Sequence, residues 1–230
     1  MLRFNGTNAA CWTAAAVTMG TGFSLAARIR ANSMGASNQG SILAQTMPSM
    51  DRWAWAFDGE PGGLRIEFSA KWLSPDAWVS WSMDQALATG REYSIGVTYQ
   101  PANSATPPKM YVRGTVAAIT QSAASSSASF GPDNQVVYMG NWSDMTRGWD
   151  GELGELAIWP SVILSDAEMA AVFRRGPLAR PNGLYAYWPL DDGTTCRDYS
   201  GNGRHASQQN CVQVPGMSQP PARLAGARAR

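Results

Sequence analysis

The sequence predicts an all-β protein in which two antiparallel sheets pack as a jelly-roll sandwich, with one short helix near residues 165–175. Short runs rich in β-branched and aromatic residues recur along the chain, and clusters of Gly, Pro, Asn, Asp and Ser separate them. Several runs alternate apolar with polar residues, which is typical of a strand with one face on a core. One segment carries start and stop signals of a helix.

Strands are expected wherever such a run is bounded by turn residues. The predicted strands are residues 22–30, 41–45, 52–57, 64–69, 77–80, 92–98, 109–112, 135–139, 152–159 and 183–189. The two clearest alternations predict inward positions at Phe23, Leu25, Ala27, Ile29, Leu64, Ile66 and Phe68. In the first of these strands, Ser24, Ala26, Arg28 and Arg30 are expected on the outer face.

The helix is predicted from its ends. Ser165 and Glu168 form a capping box, in which a hydroxyl accepts from a backbone N–H and the carboxylate reaches back. Apolar residues then follow at helical spacing through Phe173, and Arg174 to Pro177 supply last-turn cations, a glycine and a stop.

Composition narrows the function classes. Apolar residues make up 44% of the 230-residue chain, enough for a sizeable core, whereas charged residues are only 15%. A net charge of +1 gives no electrostatic footprint for nucleic acid. Residues 1–6 show no basic stretch followed by an apolar one, so we expect no secretory signal, and no apolar run has the length of a membrane span.

A single domain is expected over residues 1–214, followed by an irregular Pro/Ala/Arg tail over 215–230. Residues 101–109 and 121–129 are low in complexity and are expected to be loops. The three cysteines argue against a disulfide framework because their number is odd. Three reduced thiols are favoured, and whether Cys196 and Cys211 pair in a C-terminal hairpin is left open.

Two stretches resemble the laminin G-like, concanavalin A-like superfamily. Residues 149–159 (WDGELGELAIW), followed by 164–169 (LSDAEM), resemble the family's strand and short helix, with Gly154 where the family often has Asp. Residues 183–193 (GLYAYWPLDDG) and 198–206 (DYSGNGRHA) resemble its Trp-Pro-Leu strand and Ser-Gly-Asn-Gly turn. The resemblance implies the sandwich fold, and the fold hosts lectins, hydrolases, adhesion modules and virion proteins.

The order of these motifs departs from the family pattern. The Trp-Pro-Leu segment usually opens the domain, but here it follows the helix, which resembles laminin G-like proteins encoded by tailed bacteriophages. The resemblance implies a non-catalytic virion protein, in a capsid-decorating, tail or vertex position, that binds other virion subunits as a homo-oligomer and is released by lysis. We expect the C-terminal segment either to close its own sandwich or to pair with a neighbouring subunit.

Catalysis is disfavoured by the carboxylates present. Retaining hydrolases of this fold use Glu-x-Asp-x-x-Glu, whose alternate positions share one face. Here Glu152 and Glu155 are three apart, so on a regular strand they face opposite sides, and Gly154 stands at the middle position. His205, the sole histidine, follows a glycine turn and is expected to be structural. No enzyme activity is therefore predicted, and a glycoside hydrolase is the least favoured alternative.

No cofactor is predicted, although calcium is left open, since loop carboxylates can bind it. The loop aspartates in question are Asp58, Asp144, Asp150, Asp191, Asp192 and Asp198. For Asp198 the plainer role is to accept backbone N–H groups across a glycine turn.

Glycan binding is the main alternative function, that of a lectin-like carbohydrate-binding module. Such sites pair aromatic platforms with polar neighbours. Among ten tryptophans, Trp53 and Trp55 share one strand face, and Trp142 sits in a polar loop with Asp144. These four residues are the predicted glycan contacts, whether the glycan is on a cell surface or in the environment.

Overall fold

Strands dominate the computed structural model, which describes residues 1–20, 22–45, 53–58, 63–73, 76–100, 105–123, 134–191 and 195–215. Within these residues the strands are β1 Leu2–Asn5, β2 Ala10–Thr13, β3 Val17–Thr18, β4 Phe23–Ala31, β5 Ser41–Gln45, β6 Trp53–Phe57, β7 Ile66–Leu73, β8 Asp76–Met83, β9 Glu92–Tyr99, β10 Lys109–Val112, β11 Thr115–Val116, β12 Ile119–Ala123, β13 Asn134–Gln135, β14 Tyr138–Met139, β15 Asp150–Trp159, β16 Ala186–Trp188, β17 Ala206–Gln209 and β18 Val212–Gln213. Helix α1 spans Asp166–Arg175. None of the described helices is long and apolar enough to span a membrane.

Two antiparallel sheets form the sandwich, which confirms the predicted fold class. The first sheet has the order β11-β10-β9-β4-β15-β1-β18, with β16 also paired to β15. The second has the order β12-β8-β7-β6-β5-β14-β2-β17, and β13 pairs with β3 in a small separate ribbon. The predicted strand 135–139 is divided between β13 and β14, which belong to different sheets.

An aromatic core joins the inner faces of the two sheets. Phe23 of the first sheet lies 5.8 Å from Trp53 and 6.0 Å from Phe68 of the second, measured between ring centroids. Phe57 stacks on Trp149 at 4.9 Å. All predicted inward positions of the strands beginning at residues 23 and 64 are buried, as the alternation requires.

The outer face of β4 is buried too, which the alternation did not predict. Ser24, Ala26 and Arg28 are each 7% exposed or less, because helix α1 and the segment that follows it pack on this side of the first sheet. The helix comes close over β9, where a Cβ on Gly96 would lie 2.7 Å from Met169 Sδ.

The helix has the predicted ends. Ser165 Oγ accepts from the Glu168 backbone N–H, and Glu168 Oε2 accepts from the Ser165 N–H, which completes the capping box. Gly176 ends the helix with a positive φ of 81°.

The C-terminal segment closes its own sandwich, which is the first of the two alternatives predicted for it. β16 pairs with β15, β17 extends the second sheet beside β2, and β18 extends the first sheet beside β1. The chain therefore crosses from one sheet to the other at residues 210–211. The predicted tail beyond residue 215, and most of the low-complexity segment 121–129, lie outside the described residues.

Candidate functional site

The two tryptophans of β6 are core residues. Trp53 and Trp55 are fully buried, and the indole N–H of Trp53 donates to Gln45 Oε1 at 2.8 Å. They do share one strand face, as predicted, but it is the face that lies between the sheets. A ring that stacks on a sugar must be exposed, so the prediction that Trp53 and Trp55 contact a glycan is wrong.

Small side chains occupy the opposite face of the same strands. Residues directly opposite one another on antiparallel strands share a face, so the register defines this surface. One row crosses β5 to β8 through Ala44, Ala54, Ser69 and Ser80. All four are 7% exposed or less, so the row itself is buried and the larger side chains around it are the ones that reach solvent. We call this row, together with the adjacent Ala56, the Ala/Ser floor.

Aromatic side chains stand at both sides of the Ala/Ser floor. Tyr138 of β14 is the cross-strand neighbour of Ala44 and of Trp12 on β2. The two rings are half-buried, with centroids 6.4 Å apart. On the other side, Trp78 and Lys71 are cross-strand neighbours on β8 and β7, two residues along from the floor, and both are half-buried. From β14 to β8 the sheet is about 19 Å wide at the usual strand spacing, which leaves room for several sugar rings.

Polar groups line a second row beside the floor. Glu67 of β7 is half-buried and lies opposite Ala56 and Ser82. Ser41, the register partner of Ala56, is fully buried, and Ser82 is 8% exposed. The hydroxyls of Ser41 and Ser82 have no hydrogen-bond partner in the described structure. Both oxygens are shielded from solvent, so they are unsatisfied buried groups of the sheet and not contacts open to a ligand.

Trp142 and Asp144 belong to a loop at one end of the sandwich. Asn141 holds the loop, since its Oδ1 accepts from the N–H groups of Trp142 and Arg147. The Arg147 guanidinium lies 5.2 Å from the Trp142 ring, and Asp144 Oδ1 accepts from Thr146. Trp142 is half-buried and Asp144 is exposed, so both stay predicted glycan contacts.

Glu152 and Glu155 lie on the same face of β15, which corrects the prediction that they face opposite sides. A β-bulge between Gly154 and Ala157, with φ of 50° at Glu155, adds a residue and turns Glu155 to the outer face. There Glu155 pairs with Arg28 at 3.2 Å, and Glu152 pairs with Arg30 and with Arg3.

The surroundings act on the two carboxyls in opposite directions. Burial raises the pKa of Glu155, and the nearby Arg28 offsets this only in part. Burial acts on Glu152 in the same sense, but hydrogen bonds from Arg30 and Arg3 outweigh it and hold the pKa of Glu152 below its ordinary value. Both carboxylates are engaged by arginines, as in a structural ion-pair ladder.

Gly154, where the family often has Asp, is packed against the Met1 side chain. An added Cβ would lie 2.9 Å from the Met1 methyl carbon and 3.3 Å from the Pro189 carbonyl oxygen. The third carboxylate of the hydrolase pattern is absent because residue 154 is Gly, and a side chain there would displace Met1.

The loop aspartates are largely occupied by the protein's own donors. Asp198 accepts from the N–H groups of Tyr187, Ser200 and Arg204, and its own N–H donates to His205 Nδ1. Burial acts to raise the pKa of Asp198, but these bonds outweigh it and lower the pKa. Asp198 therefore accepts backbone N–H groups across the glycine turn, as predicted, and His205 is held to the same turn.

Asp150 is similarly engaged, because it accepts from Asn32 and Ser33. Asp192 lies outside the described residues. Across the described part of the chain, no group of three or more His, Cys, Asp or Glu side chains is arranged to hold a metal ion.

Solved structures with this fold include carbohydrate-binding proteins. No protein-family profile matches the sequence, and no curated protein matches it significantly. A candidate carbohydrate-binding protein from Bacteroides ovatus superposes over 92% of the chain with a TM-score of 0.65 and 18% identity, and the chain spans 58% of that protein's length. A heptameric SAP-like pentraxin from Limulus polyphemus superposes over 75% of this chain and 80% of its own, with a TM-score of 0.55 and 14% identity.

A third similar structure is the CBM40 module of the Ruminococcus gnavus IT-sialidase, bound to α2,3-sialyllactose. It covers 68% of this chain and 84% of its own, with a TM-score of 0.48 and 17% identity. The first two likenesses support the β-sandwich fold.

Proposed function

We propose that this chain is a non-catalytic carbohydrate-binding module whose binding surface is the outer face of the second sheet. The observation that carries the proposal is the set of half-buried aromatic rings, Trp12, Tyr138 and Trp78, that stand on either side of the Ala/Ser floor, with the half-buried Glu67 beside it. Aromatic rings stack on the apolar face of a sugar, and hydroxyl and carboxylate groups bind sugar hydroxyls. The fold is shared with a candidate carbohydrate-binding protein, which supports the same class of function.

Glycan arrays probed with the whole chain, with and without calcium, identify a ligand for this surface. For the best ligand, Trp12→Ala and Tyr138→Ala are each expected to weaken binding about tenfold, a loss of about 1.4 kcal/mol. Tyr199→Ala is the matched control, because Tyr199 is an exposed aromatic residue in the C-terminal segment and should leave affinity unchanged. Failure to bind any glycan contradicts the proposal.

Trp142→Ala separates the sheet face from the predicted loop site. If Trp142→Ala abolishes binding while Trp12→Ala and Tyr138→Ala do not, the loop is the binding surface and the proposal for the sheet is wrong.

Filling the floor tests the same surface without removing a contact. Ala54→Phe puts a large ring between the aromatic side chains and should abolish binding by steric exclusion. Ala54 is buried, so the expected loss in the free energy of unfolding is about 1–3 kcal/mol, the ordinary cost of overpacking. Unimpaired binding by a folded Ala54→Phe variant would contradict the location of the site.

The virion role implied by the family resemblance stays a prediction. It rests on the order of the C-terminal motifs, and a glycan-binding surface is compatible with it. Quantitative mass spectrometry of gradient-purified particles from a lysate of the source tests it: hundreds of copies would indicate a capsid-coating protein, and a few to tens a tail or vertex protein. Absence of the chain from particles would rule this role out.

A further inference from the structure

Three cysteines, one near the N-terminus and two near the C-terminus, meet at one edge of the sandwich. Cys11 points inward from β2, Cys196 precedes β17, and Cys211 lies where the chain crosses from β17 to β18. Cys11 Sγ is 3.1 Å from Cys196 Sγ and 3.9 Å from Cys211 Sγ. All three are free thiols, with Cys11 between the other two.

The three thiols differ in their access to solvent. Cys11 and Cys196 are fully buried, whereas Cys211 is half-buried. A disulfide has an S–S distance of about 2.05 Å, so the bond between Cys11 and Cys196 requires the sulfurs to approach by roughly 1 Å. The thiols are therefore arranged as a path from the surface to a buried pair.

We propose that this cluster is a thiol–disulfide exchange site, in which Cys211 reacts first with a low-molecular-weight disulfide and the final product is a buried bond between Cys11 and Cys196. The oxidant that we name is glutathione disulfide. This inference concerns a modification of the chain and is independent of glycan binding.

Each exchange step is balanced. The Cys211 thiolate attacks one sulfur of glutathione disulfide, forming a mixed disulfide and releasing glutathione thiolate. The sulfur of Cys11 then attacks the Cys211 sulfur, releases the second glutathione and leaves a bond between Cys11 and Cys211. Cys196 finally attacks the Cys11 sulfur and frees Cys211. Two protein thiols are oxidised by two electrons in total, glutathione disulfide is reduced to two glutathione molecules, and the thiol protons of Cys11 and Cys196 end on them.

Burial explains why the exposed thiol is needed. Thiolates are the nucleophiles in exchange. The pKa of Cys11 is raised well above its ordinary value by its hydrogen bonds to Cys196 and Cys211 and by burial. Because neither the Cys11 nor the Cys196 side chain is accessible, a dissolved oxidant does not reach them directly, but each lies next to its exchange partner.

The bond would join residues 185 positions apart in sequence and tie β2 to the C-terminal segment. Closing so long a loop restricts the unfolded chain, so oxidation should raise Tm by about 5–10 °C. β2 also carries Trp12 beside the Ala/Ser floor, so the same bond would hold one wall of that surface in place.

The test incubates the whole chain with glutathione disulfide, quenches samples with an alkylating agent and maps tryptic peptides. Cleavage after Arg3, Arg28, Arg175, Arg197, Arg204 and Arg223 puts the three cysteines in three different peptides. We expect transient glutathione on Cys211, followed by a stable link between the peptides of Cys11 and Cys196. Cys211→Ser should slow formation of that link at least about tenfold. Cys196→Ala should instead accumulate the bond between Cys11 and Cys211.

The order in which the disulfide products form in the wild-type chain tests the proposal even if a variant does not fold. Equal rates in wild type and Cys211→Ser would overturn the entry role of Cys211. A final product consisting of glutathione on Cys211, a bond between Cys196 and Cys211, or dimers linked through Cys211 would overturn the proposal as a whole.

Discussion

The outer face of the first sheet is covered by the chain itself, whereas the outer face of the second carries small side chains between aromatic ones. On the first, helix α1 and the segment after it bury Tyr111, Trp159 and Leu184 in a second apolar cluster. On the second, the Ala/Ser floor lies between Tyr138 and Trp78. Large residues on the first outer face thus serve stability where the chain covers them, whereas on the second the half-buried aromatic residues beside the floor are the ones that reach solvent.

Removing an aromatic ring from each outer face gives the largest contrast in stability. Trp159 is fully buried, and its indole N–H donates to the Arg180 carbonyl oxygen at 2.8 Å. Trp159→Ala should lower the free energy of unfolding by about 3–5 kcal/mol. Trp12→Ala, on the second face, should cost about 1 kcal/mol or less, because that ring is already half-exposed. Urea unfolding measures both, and equal losses would contradict the contrast.

A pair of buried serines sharpens the comparison. On the first face, Ser24 Oγ donates to the Val162 carbonyl oxygen at 2.7 Å and accepts from the Leu164 N–H at 2.9 Å. Ser24→Ala leaves both groups unsatisfied and should cost about 1–3 kcal/mol. Ser82→Ala should be close to neutral for stability, since its hydroxyl has no hydrogen-bond partner to lose. A large loss of stability in Ser82→Ala would show that its hydroxyl is engaged.

The smallest expected effect is on how the free energy of unfolding depends on pH, which should differ between Glu152 and Glu155 on the outer face of the first sheet. The pKa of Glu152 is lowered in the folded state, so its stabilisation is present above the ordinary glutamate pKa of about 4.3 and is lost as the pH falls through the folded value. The pKa of Glu155 is raised, so wild type loses stability as the pH rises through that folded value.

The two glutamine variants should therefore have opposite pH trends. Between pH 3 and 7, the stability of Glu152→Gln relative to wild type should fall as the pH rises, and that of Glu155→Gln should rise, each by about 1 kcal/mol or less. Denaturant titrations at several pH values measure both differences. Parallel trends would contradict the assignment of opposite pKa shifts.

Much of the fold could be predicted from the sequence, because strand alternation and helix capping are local signals. The bounds of β5 and β10 and the capping box at Ser165 match the predictions. Short edge strands such as β17 and β18 were not predicted, because their pairing partners lie some 200 residues away in sequence.

The candidate site was predicted less well. The aromatic rings of Trp53 and Trp55 led to the prediction that they contact a glycan. The same strand, WAWAF, carries the small residues of the floor at its alternate positions. The alternation Ser80, Trp81, Ser82 in β8 is a second signal of the same kind. Neither signal says which face points outward, because large aromatic residues suit a core and a binding platform equally well.

Local sequence decided where strands run, which residues share a face and where the helix begins, because those choices depend on neighbouring residues only. Tertiary structure decided which shared face is buried, that a bulge brings Glu152 and Glu155 to one side, and that Cys11, Cys196 and Cys211 meet. Those outcomes depend on contacts between residues far apart in the chain, and their free energies arise only when both sheets are assembled.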